Sequence, residues 1–300
     1  MFNSFKKLVY AMIMLVISLL FITACTNGSR GVSNMQATTA TKVETSNTPK
    51  PAEPSPTPVI SASPSPTPTQ IPTTPLDKPK TRKSFPILYY HKINDTIEGI
   101  EELHVSPGEF EKQMELLKKN NYTVITFDQL KDVQNIDNPV IITLDDGYED
   151  NYTYAYPILK KYNFKATIFV TSDFIDKPSF LTTGQIKEMN GLINFQGHTV
   201  THPSDPKPFV SLKNEEVEWE MSESKKFIES ITGTKIDVFA YPVGSYDQRI
   251  INLTKKYYKY AVVNGGGLYT EGDSDYEIKR VYVPRSLDIT GFEKKIKGGK

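Results

Sequence analysis

The 300-residue sequence predicts an α/β domain, a distorted (β/α)7-type barrel at residues 85–300, preceded by a signal peptide and a disordered linker. Three observations support this architecture. Apolar strand-like runs alternate with helical patterns from residue 85 onward, as in parallel sheets covered by helices. Polar residues cluster just after those runs, where barrels of this kind carry their active sites. Residues 26–84 contain no aromatic residue and cannot bury enough apolar surface to fold.

Residues 1–24 have the pattern of a secretory signal peptide, with basic residues before an apolar run at residues 8–22. That run is short for a membrane span, which needs ~20 residues. The following Ile22-Thr23-Ala24-Cys25 resembles the lipobox of bacterial lipoproteins. The resemblance implies that the signal is cut before Cys25, the only cysteine of the chain, which then carries lipid. The alternatives are an uncleaved N-terminal anchor or a chance cysteine near the signal.

Residues 25–84 are predicted to be the lipidated cysteine and a disordered tether rich in proline, serine and threonine. Eleven of the 21 prolines lie between Pro49 and Pro79. This density favours extended polyproline II at ~3.1 Å per residue, with a reach of roughly 95 Å. The tether is interpreted as a spacer that holds the domain away from the bacterial membrane, on the extracellular side or within the cell wall. A linker without length selection would look the same.

The net charge of zero conceals two unlike regions. Residues 1–84 hold nine basic and three acidic residues, which leaves 26 basic and 32 acidic residues in 85–300. Neither the total nor the acidic domain supports nucleic-acid binding. The single cysteine excludes an intramolecular disulfide framework and any cysteine-based zinc finger. We expect a monomeric protein that is exported from the cell.

Within residues 85–300 the predicted strands lie at residues 85–91, 122–126, 140–144, 166–170, 192–195, 238–241 and 260–263. The predicted helices lie at residues 127–133, 150–162, 183–189, 214–231 and 247–256, with one more beginning after Ser106. Ser106 and Glu109 form a capping box with Pro107 at the first helical position. Pro157 is expected to kink its helix.

Four polar residues follow two of the apolar strands. Asp145 and Asp146 come directly after the strand at 140–144, and each buried carboxylate needs a cation or a proton there. His198 and His202 follow a strand further on, in a loop. Alone, Asp-Asp-Gly is commonly a turn and a His-x-x-x-His pair is often surface decoration. Together, Asp146, His198 and His202 predict a catalytic metal site with one open position.

These segments closely resemble the first three motifs of the polysaccharide deacetylase family (carbohydrate esterase family 4, the NodB-homology domain). The matching segments are Thr143–Gly147, His198–Pro203 and Phe239–Gly244. The resemblance covers residues 85–300 and implies a barrel of about seven strands. It also implies that Asp145 is the catalytic base and that Asp146, His198 and His202 bind one divalent metal. Zinc is favoured, and nickel, cobalt or iron also suits such ligands.

Two departures from the family pattern stand out. The third motif lacks the arginine that orients the base, and no histidine follows His202 to serve as the general acid. Residues 88–93 resemble a permuted branch of the family that includes poly-β-1,6-N-acetylglucosamine deacetylases, and in that branch His91 would be the acid. A structural histidine at a strand end is the alternative. Arg280 or Arg285 could replace the missing arginine, or both could be ordinary surface residues.

The resemblance implies hydrolysis of N-acetyl groups on an N-acetylglucosamine-containing polysaccharide, with poly-N-acetylglucosamine favoured and peptidoglycan or chitin also possible. Tyr241 and Tyr148, through nearby main-chain N–H groups, and Arg280 are the candidates for contacting the substrate or its oxyanion. The alternatives are an O-acetyl esterase acting on xylan or peptidoglycan, a non-catalytic glycan-binding lipoprotein, and an iron oxygenase. His104 is expected to be structural.

Overall fold

Seven parallel strands close into a barrel in the computed structural model, which describes residues 82–299. The barrel strands are β2 (Ile87–Tyr90), β6 (Pro139–Asp146), β7 (Ala166–Val170), β8 (Ile193–Gly197), β9 (Val238–Ala240), β10 (Tyr260–Gly266) and β12 (Ile278–Tyr282). Around the ring their order is β2, β12, β10, β9, β8, β7 and β6, and β6 pairs again with β2. The predicted barrel is thereby confirmed. The predicted signal peptide, Cys25 and nearly all of the tether lie outside the described residues.

Five shorter strands complete the sheet structure. They are β1 (Ser84–Phe85), β3 (Lys92–Ile93), β4 (His104–Val105), β5 (Thr123–Val124) and β11 (Tyr269–Thr270). β1 and β11 form an antiparallel pair, and β3 and β4 form a parallel pair. β5 pairs in parallel with the amino-terminal end of β6.

Six α-helices surround the barrel: α1 (Pro107–Lys119), α2 (Tyr156–Tyr162), α3 (Thr183–Met189), α4 (Asn214–Thr232), α5 (Gln248–Thr254) and α6 (Ile289–Ile296). The Ser106 side chain caps α1 by accepting from the Glu109 N–H, whereas the Glu109 carboxylate pairs with Lys112, so half of the predicted capping box forms. Short 3₁₀ turns lie at Glu101–Leu103, Phe127–Asn135, Ser172–Phe174, Phe209–Ser211 and Pro242–Gly244. Among the described residues, no helix has the length and hydropathy needed to cross a membrane.

The helix predicted at 150–162 is irregular in the turn before Pro157. A π-helical turn at Asn151–Ala155 leads into α2, and Pro157 occupies the first turn of α2. Proline has no N–H to bond the preceding turn, so the chain widens there instead of continuing as a regular α-helix. The kink is thus resolved as a change of helix type.

Among the barrel strands and α-helices, the prediction omitted β12 and α6. Two of the five residues of β12, Lys279 and Arg280, are charged, so the sequence lacks the continuous apolar run that predicts a buried strand. Its Arg280 is fully buried, and Ile278 and Val281 join the core. Without β12 the ring could not close, because it pairs with both β10 and β2.

Alternation along β6 divides its side chains between two environments. Ile142 and Leu144 belong to the large core formed with the helices. Ile141 belongs to a second core of inward-facing residues from several strands. Because side chains two apart share a face, Thr143 and Asp145 continue the inward row toward the carboxyl end of the strand. This register places Asp145 inside the mouth of the barrel.

Candidate metal centre and active site

Asp146, His198 and His202 converge at the carboxyl end of the barrel. The Nε2 atoms of His198 and His202 lie 3.3 and 3.4 Å from the same oxygen of Asp146. One candidate ligand atom from each residue lies within 4.8 Å of the other two. Asp146 and His198 are buried, and His202 is partly exposed. The three residues predicted as metal ligands therefore form one cluster that opens to the solvent at His202.

The backbone around these ligands adopts left-handed conformations that non-glycine residues seldom use. The φ angle is 74° at Asp146, 69° at Thr199 and 57° at His202. Such angles cost of order 1–3 kcal/mol each and persist only where the surrounding structure holds them. The twist at Asp146 turns its carboxylate toward the histidines although Asp145 faces the barrel interior.

Gly147 follows Asp146 because no larger residue fits this turn. Its φ is 77°, and a Cβ atom placed there would lie 2.8 Å from Cγ1 of Val170. Both the conformation and the space therefore require glycine. The Asp-Asp-Gly sequence thus provides two carboxylates at the end of β6, followed by a tight turn at Gly147.

The tautomer of His198 is set by a main-chain group. Its Nδ1 lies 2.8 Å from the carbonyl oxygen of Ala240 at the end of β9. Nδ1–H donates to that oxygen, which leaves Nε2 directed at Asp146 with a lone pair available for a metal. A histidine ligand is commonly oriented in this way by a bond from its other ring nitrogen.

Glu220 of α4 holds the loop between the two histidines. One carboxylate oxygen accepts the N–H groups of Val200 and Thr201 at 2.7 and 2.9 Å, and the other accepts the Thr201 hydroxyl. The Thr199 hydroxyl in turn accepts the N–H of His202 at 3.0 Å. Glu220 is buried, so these bonds replace the water that its charge would otherwise require.

Asp146, His198 and His202 strongly shift one another's pKa values. Burial alone would raise the pKa of Asp146, but its hydrogen bond to His198 and the nearby histidines hold that pKa well below the usual range. Burial also opposes the charge on His198, yet Asp146 and Asp145 raise its pKa above the ordinary value. Burial lowers the pKa of His202 to about 4, helped by the neighbouring His198.

Asp145 is bound by Arg280 of β12. The two terminal guanidinium nitrogens donate to the two carboxylate oxygens at 2.7 and 2.8 Å. Arg280 is fully buried, and its Nε donates to the carbonyl of Val263. The guanidinium also lies 3.8 Å from the ring centre of Tyr89. Arg280 thus supplies the arginine beside Asp145 that the third motif lacks.

His91 lies just beyond β2 and its ring points into the same mouth. Its Nε2 is 2.9 Å from the hydroxyl of Tyr89, two residues earlier on the strand. Its Nδ1 is buried and has no hydrogen-bond partner within residues 82–299. Burial lowers the pKa of His91, and the Asp146 and Asp145 carboxylates act in the opposite direction. Nε2 is therefore held by Tyr89, while Nδ1 is buried without a partner among the described residues.

The remaining predicted residues lie in different places. Tyr148 stacks on Phe180, and burial and the Asp146 carboxylate raise its pKa. Tyr241 is fully buried and its hydroxyl donates to the Tyr276 carbonyl, so its ring serves the core. The Tyr241 N–H faces the Val262 carbonyl at 3.4 Å.

Arg285, the alternative to Arg280, and His104, expected to be structural, make other contacts. Arg285 lies 3.6 Å from Glu101 on the surface side of the fold. His104 is buried in β4, where its Nδ1 meets the Ile100 carbonyl at 3.0 Å and its Nε2 accepts the Glu98 N–H. These bonds satisfy both ring nitrogens, as expected of a structural histidine.

Sequence reasoning missed Tyr89 and Glu220. The role of Tyr89 could have been predicted, because residues two apart on a strand share a face and Tyr89 is two residues before His91. The burial of Glu220 was harder to predict, although Glu220 falls among the apolar positions of α4 beside Val217 and Met221. An acid on the buried stripe of a helix usually has a specific partner.

The donor set fits a divalent transition metal. Two imidazole nitrogens and one carboxylate oxygen, with the second nitrogen of His198 satisfied by Ala240, make a three-ligand site of the catalytic kind. A paired carboxylate and a histidine with a free nitrogen stand beside it. The barrel and a possible Asp-His-His metal site at its mouth are typical of a metal-dependent hydrolase.

The comparisons with known proteins identify the family. The family profile "Polysaccharide deacetylase" matches residues 132–262. The Bacillus subtilis protein YxkH, which carries a polysaccharide deacetylase name, is 33% identical over 223 residues, covering 71% of this chain and 77% of the relative. The chain belongs to the polysaccharide deacetylase family and is a hydrolase acting on carbon–nitrogen bonds other than peptide bonds.

Solved structures agree. BC0361, a polysaccharide deacetylase from Bacillus cereus, has a TM-score of 0.67 and 34% identity, covering 72% of this chain and 69% of that one. The Streptococcus pyogenes deacetylase PplD, solved in complex with acetate, has a TM-score of 0.67 and 26% identity, covering 72% of this chain and 99% of that one. A poly-β-1,6-N-acetyl-D-glucosamine N-deacetylase of Staphylococcus aureus is 26% identical over 200 residues, covering 61% of this chain and 69% of the relative.

Proposed function

We propose that the protein removes N-acetyl groups from an extracellular N-acetylglucosamine-containing polysaccharide, with poly-N-acetylglucosamine as the favoured substrate. The observation that carries the proposal is the convergence of three parts at one barrel mouth: the Asp146–His198–His202 cluster, the Arg280-bound Asp145, and His91 with its free Nδ1. Similarity to the Staphylococcus aureus enzyme supports the substrate. The acetate in the Streptococcus pyogenes structure supports the reaction class.

We assign the ligands of one divalent metal, with zinc proposed, to Asp146, His198 and His202. When bound, such an ion supplies Lewis-acid chemistry, polarising the acetyl carbonyl and acidifying a water molecule. His198 Nδ1–H remains on the Ala240 carbonyl, and Glu220 keeps the loop before His202 in place.

Asp145 is proposed as the base that takes the proton of the attacking water. A carboxylate has about four lone-pair directions, and the bidentate contact with Arg280 uses two of them. The remaining directions can accept the proton while Arg280 fixes the carboxylate plane. This arrangement orients the base without neutralising its ability to accept a proton.

His91 is proposed as the acid that gives a proton to the departing nitrogen. Its Nδ1 is the ring nitrogen without a protein partner, whereas Nε2 is held by Tyr89. An amine leaves readily only when protonated, whereas an alcohol leaves from an ester with less help. A buried histidine with one nitrogen reserved therefore favours N-deacetylation over the O-acetyl ester alternative.

The oxyanion that develops on the acetyl group needs donors besides the metal. The main chain near Tyr148, directly after the Asp146–Gly147 turn, is the candidate on one side, and the turn after Tyr241 is the candidate on the other. Tyr148 also lies under the Nζ of Lys92, which is 4.6 Å from its ring centre. Its partly exposed ring is proposed to form one wall of the sugar site.

We further propose that residues 1–24 form a signal peptide, that Cys25 is lipidated and that residues 25–84 form the tether. The enzyme would then act as a monomer on the outer face of a bacterial membrane, within reach of the cell wall or a biofilm matrix. Stable anchoring takes more than one acyl chain. Mass spectrometry of the membrane fraction would detect the lipid on Cys25, and a Cys25→Ser protein released to the medium would support the anchor.

An acetate-release panel tests the activity. The purified protein is expected to release acetate from poly-N-acetylglucosamine, and the panel includes peptidoglycan, chitin oligomers and acetyl-xylan. Asp145→Asn should retain the metal yet lose turnover. Preference for acetyl-xylan would favour the esterase alternative. Tight glycan binding without acetate release would favour the non-catalytic alternative, and undiminished activity after metal removal would overturn the proposed chemistry.

A further inference from the structure

A groove of about 530 Å³ lies behind the metal-binding loop, outside the site described above. Thr201 and Pro203, the residues on either side of the ligand His202, form part of its wall. Glu220, the carboxylate that anchors the loop, is also part of its lining. The groove therefore begins at the loop that carries a metal ligand, and its volume falls within the ~300–1,000 Å³ of small-molecule sites.

The opposite wall carries an exposed indole. Trp219, next to Glu220 on α4, lines the groove and is 50% exposed. Of the exposed large apolar side chains among the described residues, Trp219 is the one that lines this groove. The indole has a broad apolar face, and sugar rings present an apolar face of C–H groups that can pack against it.

The rim of the groove is acidic. Glu215 and Glu216 in the first turn of α4 contribute two carboxylates, against one ammonium group from Lys207. Lys207 lies 2.8 Å from Glu216, which leaves Glu215 as the excess negative charge. Carboxylates accept hydrogen bonds from sugar hydroxyls and attract the free amines of a partly deacetylated chain.

We propose that this groove is a second binding site for the N-acetylated polysaccharide, in which Trp219 stacks on a sugar several units from the one being deacetylated. The inference rests on the proposed function, because a polymeric substrate must extend away from the reacting sugar. The groove wall at Thr201 and Pro203 belongs to the same loop as His202, so the groove lies next to the proposed metal site in the chain. Glu220 further links the two, since it borders the groove and bonds the main chain before His202.

The chain offers a direct readout, because Trp219 is its only tryptophan. In the Asp145→Asn background, which prevents turnover, the protein is titrated with β-1,6-linked N-acetylglucosamine disaccharide and hexasaccharide. The hexasaccharide is expected to change the tryptophan emission and to bind about tenfold more tightly than the disaccharide. Unchanged emission at saturating hexasaccharide would overturn the proposal.

The fluorescence titration is the first arm of the test, and steady-state kinetics of Trp219 variants are the second arm. Trp219→Ala should lower kcat/KM for the hexasaccharide about tenfold and by much less for the disaccharide. Trp219→Phe, which keeps a ring, should lie between wild type and alanine. Phe227→Ala is the matched control, an aromatic residue on the same helix that is 44% exposed and does not line the groove. Equal losses for both substrate lengths would overturn the proposal.

The two arms separate this inference from the proposed function. Acetate release from the hexasaccharide with no change in emission would retain the deacetylase and reject the groove. Length-dependent emission without acetate release from any substrate would reject the proposed reaction and keep the groove as a glycan site. Emission that responds to unrelated peptides as strongly as to the hexasaccharide would reject the groove as a glycan site.

Discussion

The guanidinium of Arg280 and the carboxylate of Asp145 make a two-point contact inside the barrel, although 135 residues separate them in sequence. Both side chains are buried, and their strands are separated around the ring only by β2. A buried carboxylate needs a partner, and removing one member of such a pair costs ~3–5 kcal/mol. The contact therefore supports the fold as well as the orientation of the proposed base.

Arg280→Lys should lower kcat by about a hundredfold, or ~2.7 kcal/mol, with little change in KM. Lysine keeps the charge but offers a single point of contact, so the plane of the Asp145 carboxylate is no longer fixed. Steady-state acetate release measures the effect. Arg285→Lys is the control, because Arg285 contacts Glu101 away from the cluster. A kcat within twofold of wild type in Arg280→Lys would contradict the role.

Tyr89→Phe should lower kcat about tenfold while metal content and KM stay near wild type. The phenyl ring still packs under Arg280, but Nε2 of His91 loses its partner at 2.9 Å. Nitrogen-15 NMR of the imidazole should show a shifted Nε2 resonance. Tyr282→Phe is the control, since its hydroxyl donates to the Glu102 carbonyl and its ring also touches Tyr89. An unshifted resonance together with unchanged kcat would remove Tyr89 from the positioning of His91.

Glu220→Gln should weaken metal affinity by about 10- to 100-fold, the usual effect of losing an outer support. Glutamine keeps one acceptor oxygen for the N–H groups of Val200 and Thr201, but it loses the negative charge and turns its NH2 group toward the Thr201 hydroxyl, which can then no longer donate to residue 220. Competition with a chelator measures the affinity. Glu218→Gln is the control, because Glu218 pairs with Lys256 at 2.6 Å on the outside of the same helix. Equal affinities in the two variants would count against the role of Glu220.

Metal affinity should fall as the pH is lowered. Binding requires neutral imidazoles, and the pKa of His198 is raised because Asp146 and Asp145 outweigh the effect of burial. A raised pKa keeps the proton on His198 to higher pH, so affinity should drop about tenfold per pH unit below it. His202, with its pKa lowered to about 4, stays neutral and adds nothing between about pH 5 and pH 8.

Titration of the apoprotein with zinc at several pH values checks this prediction. Asp145→Asn removes one charge that raises the pKa of His198, so its affinity curve should move to lower pH. An affinity that does not vary over this range, or a curve unmoved by Asp145→Asn, would show that His198 does not hold the competing proton.

Gly147→Ala should destabilise the fold by ~2–5 kcal/mol, the sum of left-handed strain and a steric clash. The added Cβ would lie 2.8 Å from Cγ1 of Val170. Gly233→Ala separates the two causes, because Gly233 has a φ of 65° and nothing within 4 Å of the added atom. That variant should lose only ~1–2 kcal/mol. Urea denaturation measures both, and equal losses would eliminate the clash.

The local elements followed closely from local sequence. β7 and α3 have the predicted bounds, because a continuous apolar run and a capping sequence act within a few residues of the chain. The strand before Asp145 proved longer than predicted, since it includes both aspartates. β12 was missed because its signal depends on the burial of Arg280, and a charged residue is buried only when a distant partner exists.

The motifs predict the family, the barrel and the set Asp145, Asp146, His198 and His202, because their spacing places those side chains at strand ends. Contacts between elements distinguish Arg280 from Arg285, pair Tyr89 with His91 and place Glu220 behind the loop that carries the two histidines. Each of these contacts joins residues on different elements or depends on which face a strand presents. Closure of the ring sets those faces and neighbours, and closure is a property of all seven strands together.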